Sequence, residues 1–138
     1  MYRYHIMDDK TIAYNEFNKM FKEFVNDLVN SYPDVLELKF MRAGYKVLKK
    51  ISKKKPQHFF NSIFAQPYRD RILARDSDFF SSKEFVIDYC NGLKPIWAKV
   101  DDVNKVHIFD HLIVILAQSD KCNKFRKSQS VESDDGDQ

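Results

Sequence analysis

Apolar positions recur at steps of three and four along most of the chain, which is the signature of helices that bury one face. Phe17, Met20, Phe21, Phe24, Val25 and Leu28 form one such stripe and predict a helix from about Thr11 to Ser31. Asp8, Asp9 and Thr11 place acidic and capping side chains at its start, where the first amides lack partners. Pro33 ends that segment, because the residue before a proline is pushed out of helical geometry. A second helix is predicted from near Asp34 to about Ser52. Its Leu36, Leu38, Phe40, Met41, Tyr45, Val47, Leu48 and Ile51 spread over a broad apolar arc. Lys39, Arg42, Lys46, Lys49, Lys50 and Lys53 fill a remaining arc of about 100°. No other segment separates the two classes so cleanly.

Lys53, Lys54 and Lys55 suit the negative end of that helix, and Pro56 is expected to stop it. A short helix with Phe59, Phe60, Ile63 and Phe64 follows from about Gln57 to Ala65, and Pro67 fits the first turn of another that reaches Ala74. Asp76-Ser77-Asp78 reads as a turn, with Phe79 and Phe80 returning to the core. Ser82, Glu84 and Phe85 predict a helix to about Asn91, ended by Gly92. Pro95 opens a short helix that carries Trp97. Asp101 or Asp102 then caps a final helix from Val103 to about Gln118. There Ile108, Phe109, Leu112, Ile113, Ile115 and Leu116 surround nearly the whole cylinder, which predicts a central, buried position. At the N-terminus Tyr2, Tyr4 and Ile6 alternate with polar residues, which permits a short strand or ordered arm.

The fold class expected is all-α, a compact bundle of about five to seven helices in one domain. That domain is expected over residues 1–120, with a flexible tail over 121–138 that turns acidic from 128 and is disordered for want of apolar residues. Composition agrees. Three glycines and four prolines are too few for an all-β chain, which needs a turn signal every ~8–12 residues. Twelve phenylalanines and seven tyrosines supply ample core material. Two cysteines, Cys90 and Cys122, without a CxxC spacing read as reduced thiols inside a cell. The N-terminus lacks the apolar stretch of a signal peptide, and the longest apolar run, Leu112 to Ala117, is far below the ~20 residues of a membrane span. A soluble, intracellular protein is expected.

Charge changes the picture in one respect. Residues 128–138 hold Glu132, Asp134, Asp135 and Asp137 and no Lys or Arg, so residues 1–127 carry +7 against +3 for the whole chain. A basic body invites a polyanion, and the lysine arc of the second helix is where it would land, extended by Arg69, Arg71 and Arg75. Richness in Lys, Asn, Phe and Ile also follows from an A/T-rich genome, which would make the arc an ordinary solvated face. That helix carries no exposed Gln, Asn or Ser to read base edges, so contact with nucleic acid would be independent of base sequence. The tail, with Ser130 and Ser133, reads as an inert terminus, a phosphorylatable peptide or a shield for the lysines.

Candidate chemistry is sparse. His107 and His111 stand four apart, as in shared metal sites, but the glutamate of a zinc-protease helix is missing between them. They are expected on a polar strip with Asn104 and Gln118, and no metal is assigned. Asp34 with Glu37-Leu38-Lys39 imitates a nuclease signature compressed into one helix, without the hairpin such chemistry uses. Asp76 and Asp78 suit a capping turn, with Arg75 pairing one of them. With no phosphate loop or nucleophile elbow, no catalytic residue and no cofactor are assigned. Phe17, Phe21, Phe24, Phe59, Phe60, Phe64, Phe79 and Phe80 are read as core, with any surplus left outside forming a protein-binding surface.

The layout of Pro67-Tyr-Arg-Asp-Arg-Ile72, Arg75-Asp-Ser-Asp-Phe-Phe80, Ile96-Trp97 and Ile108-Phe-Asp-His-Leu112 resembles small helical proteins of nucleocytoplasmic large DNA viruses. The resemblance spans about residues 14–118 and implies a protein of an infected cell's cytoplasm or of a virion, without assigning an activity. The leading expectation is a non-enzymatic interaction or assembly protein whose partner is another protein. The alternative is a sequence-independent binder of nucleic acid or another polyanion through the lysine arc.

Overall fold

The computed structural model describes residues 8–78, 80 and 96–128, and every regular element among them is helical. The expected arm at Tyr2–Met7, the helix at Ser82–Asn91, Phe79, Cys90 and the tail from residue 129 lie outside the described residues. Helix α1 spans Asp9–Ser31, α2 Leu36–Ile51, α3 Lys55–Phe60 and α4 Gln66–Leu73. A π-turn at Asn61–Ala65 joins α3 to α4, and α5 spans Asp102–Ser128. No helix is long and apolar enough to cross a membrane among the described residues.

Local chemistry sets most of the boundaries. Asp8 is the N-cap of α1: its carboxylate accepts from the Thr11 amide at 2.8 Å, and that bond holds its pKa below the usual value. Asp101 caps α5, its carboxylate accepting from the Asn104 amide at 2.8 Å. Pro56 does not stop α2. It stands in the first turn of α3, where a missing amide hydrogen costs nothing, and α2 has already ended at Ile51. Helix α4 ends on a Schellman motif. Arg75 takes φ 54°, and the Arg75 and Asp76 amides donate back to Ile72 and Arg71 carbonyls. A left-handed arginine where glycine is usual costs on the order of 1–2 kcal/mol.

The two short helices expected at Gln57–Ala65 and from Pro67 are one continuous rod. Pro67 has no amide hydrogen and its ring crowds the preceding turn, so a regular helix cannot run through it unchanged. The π-turn absorbs the conflict, with the Gln66 amide reaching back five residues to the Asn61 carbonyl.

Helix α5 lies at the centre, against α1, α3 and α4. Ile108, Phe109, Leu112, Ile115 and Leu116 are buried, as the pattern predicted, whereas Ile113 from the same set is only half-buried. Phe80, Trp97 and Phe109 form an aromatic cluster with centroids 4.8–5.8 Å apart, and the indole N–H donates to the Ser77 carbonyl. Phe64 and Phe60 link this cluster to Phe17, Phe21 and Tyr45 near α2. Helix α5 outruns the expected end at Gln118 and continues to Ser128, so residue 120 falls inside a helix. Buried polar groups sustain the extension. Gln57 donates to the Ser119 hydroxyl and the Asn123 amide oxygen, each at 2.9 Å, and Asn123 donates to Asn61. Cys122 is fully buried there, and burial pushes its thiol up to about 12, far from reactive. Gln118, expected on an exposed strip, is buried and donates to the Ala13 carbonyl at 3.0 Å.

Candidate functional site: an open apolar face on α2

Among the described elements, helix α2 packs chiefly against α1 and α3, which cover one side of it. Leu38, Met41 and Tyr45 point at them and are buried, with the Tyr45 hydroxyl donating to the Asn18 carbonyl at 3.0 Å. Desolvation raises the Tyr45 pKa and keeps the phenol neutral. Beneath the end of α2, Asn18 donates to the Lys53 carbonyl at 2.9 Å and pins the turn into α3.

The rest of the apolar arc is uncovered. Leu36, Phe40, Val47 and Ile51 are 56%, 64%, 58% and 64% exposed. At 100° per residue these four fall within about 60° of one another on the wheel. They supply four of the nine large apolar side chains that stand exposed among the described residues. Ala43 and Gly44 lie at the middle of the same seam. Val103, Val106 and Val114 make a second exposed row on α5, but Asp110, bound to Arg75 at 2.6 Å, interrupts it. The α2 row has no charge within it.

Beside this row is a cavity of about 330 Å³ between α1, α2 and α3. Gly44, Val47 and Leu48 of α2, Phe21 of α1, and Phe59 and Ile63 opposite form its wall and mouth. Gly44 is among its lining residues and brings no side chain into it. Glycine within a helix costs about 1 kcal/mol relative to alanine. Val47 belongs to both the cavity wall and the exposed row, so the two form one continuous apolar surface.

The lysine arc runs along the other edge. Lys39, Lys46, Lys49, Lys50 and Lys53 are exposed, and none makes an ion pair among the described residues. Arg42 is half-buried, with a 3.5 Å contact to the Asn26 side chain. Arg69, Arg71 and Arg75 do not extend this arc as open cations. Each is bound to a carboxylate, Arg69 to Asp120 on α5, Arg71 to Asp76 and Arg75 to Asp110, at 2.6 Å. The expected Arg75 pairing with Asp76 or Asp78 is thus replaced by one with α5. The hydrogen bond from Arg71, with one from the Asp78 amide, holds Asp76 below the usual carboxylate range.

A crevice between α1 and α5 is more polar. His107 and His111 line its volume of about 380 Å³ with Asp27 and Tyr32, and the His111 ring packs edge-on against Phe24. No three His, Cys, Asp or Glu side chains converge as a metal cage among the described residues. Of the phenylalanines read as core, Phe17, Phe24, Phe60, Phe64 and Phe80 are buried, whereas Phe21 and Phe59 are half-buried at the cavity. The most exposed phenylalanine among the described residues is Phe40, which stood outside that set, on the broad apolar arc of the second helix. The signal that would have found this surface is Gly44, unremarked in the middle of an otherwise strong helix.

Comparison of the chain with protein-family models, with curated proteins and with solved structures finds no match.

Proposed function

We propose that this protein is a non-enzymatic interaction module that docks an apolar helix of another protein along α2. The observation that carries the reading is the continuity of the Leu36, Phe40, Val47 and Ile51 row with the apolar cavity behind Gly44. Helix-in-groove recognition uses such a surface: large anchors at three- and four-residue steps on one partner, and a hydrophobic cleft on the other. The row runs the length of α2, on the order of 22 Å at 1.5 Å per residue, which accommodates about four turns of a partner helix. The cavity suits side chains from that helix. An apolar void of about 150 Å³ accepts a benzene-sized group, so 330 Å³ has room for roughly two.

Val47→Asp tests the reading, because it sets a charge where row and cavity meet yet removes no buried group. Binding of an amphipathic leucine-rich helical peptide to residues 1–138 is expected to fall at least tenfold, with the circular dichroism spectrum and melting curve preserved. Unchanged peptide affinity would remove α2 as the docking surface.

The polyanion alternative rests on the unpaired lysines alone. The three arginines that were to widen it are each neutralised by an aspartate.

A further inference from the structure

Docking along α2 leaves open what kind of helix fits, and the flanks of the apolar row bear on that. Lys39, Lys46 and Lys50 each precede a member of the row, Phe40, Val47 and Ile51, by one residue. On the wheel they fall about 100° behind those residues and border the row along its length. The three ammonium groups are exposed and unpaired among the described residues, so nothing described there balances their charge. At the centre of the seam Ala43 and Gly44 replace large side chains, which lets a second helix approach closely enough for charge on its edge to meet those lysines.

Resting on the docking reading above, we infer that the helix seated along α2 is acidic: it carries apolar anchors on one face and carboxylates on the edge beside Lys39, Lys46 and Lys50. Charge complementarity selects this occupant over the others. An antiparallel two-fold pairing of α2 with a second copy sets one lysine ladder beside the other, and like-charge contact of that kind is costly. The chain's own acidic tail has the charge but offers Val131 as its one large apolar side chain, too little to fill the row and cavity. A bilayer surface presents a plane, and a plane does not fill a cleft recessed behind Gly44.

Fluorescence anisotropy with the full chain tests this with two labelled 18-residue amphipathic helices, one built from Leu and Glu, the other from Leu and Lys. The Leu/Glu peptide is expected to bind at least tenfold more tightly at 50 mM salt, with the margin shrinking as salt rises. The triple variant K39E/K46E/K50E is expected to reverse the preference, and Phe40→Asp to weaken both peptides. Equal binding of both peptides, unmoved by the triple variant, overturns the acidic partner while leaving docking intact. Failure of both peptides to bind a folded chain overturns docking as well. Tighter binding to phosphatidylserine vesicles than to the Leu/Glu peptide assigns the surface to membranes and overturns the inference. A concentration-dependent dimer in sedimentation equilibrium, abolished by Val47→Asp, assigns it to a second copy and does the same.

Discussion

Helices α2 and α5 invert the expectation that a clean amphipathic pattern marks the better-buried element. Helix α2 separates apolar from charged residues sharply, yet four of its large apolar side chains lie open to solvent. Helix α5 distributes apolar residues around much of its circumference and occupies the centre, packed by α1, α3 and α4. A pattern fixes which way a helix faces. Coverage depends on which neighbours arrive, and among the described elements α2 packs chiefly on α1 and α3, both on one side. A wide apolar arc on an element at the edge of a bundle is therefore partly core and partly surface, and the surface part is available for binding.

The largest effect that separates the two helices is on stability. Leu116→Ala on α5 removes a fully packed side chain and is expected to cost about 2–5 kcal/mol in urea denaturation. Phe40→Ala on α2 deletes a larger group, yet with 64% of it already in solvent the expected change is within about 0.5 kcal/mol. Equal costs for the two would mean that α2 is covered in solution and would break the comparison.

A smaller effect sharpens it. Gly44→Ala is expected to stabilise α2 by up to about 1 kcal/mol through helix propensity, while its added methyl narrows the cavity mouth and weakens peptide binding severalfold. Stability and binding then move in opposite directions, as a site kept open at some cost to folding requires.

The smallest is on pH. Asp8 and Asp76 have folded-state pKa values below the ordinary 3.8, so the stability they supply is present above that value. It is lost as pH falls through the depressed folded values. Tyr45 runs the other way: its raised pKa means stability is retained below pH 10 and declines as pH climbs through the folded value. Both limbs are expected in a pH series of denaturation curves. Asp76→Asn should shallow the acid limb alone, and Tyr45→Phe the alkaline limb alone.

Much of the fold was legible because it follows local rules. The α1 stripe, the caps at Asp8 and Asp101 and the central place of α5 all follow from periodicity and side-chain chemistry. The illegible parts depend on distant neighbours. Nothing near Gln118 in sequence signals that the Ala13 carbonyl will meet it, or that Gln57 and Asn61 will sustain α5 as far as Ser128. The same applies to the site. The lysine arc could be read from α2 alone, whereas the openness of Phe40 depends on what α1 and α3 fail to cover.

The π-turn ahead of Pro67 has a consequence for chain length. It acts as one spare residue wound into the rod that runs from Lys55 to Leu73. Ile72 follows Phe60 by twelve positions, which in a regular helix leaves the two about 120° out of phase. With one residue absorbed the step is effectively eleven, and the phase error drops to about 20°. Both side chains accordingly reach the core, Ile72 with no exposure at all. A chain that lost exposed Ser62 and replaced Pro67 with alanine would therefore keep the same side chains inward. Deletions elsewhere along the rod would turn every later residue to the wrong side, so at this one place the protein tolerates a change of length that the rest of its helical frame forbids.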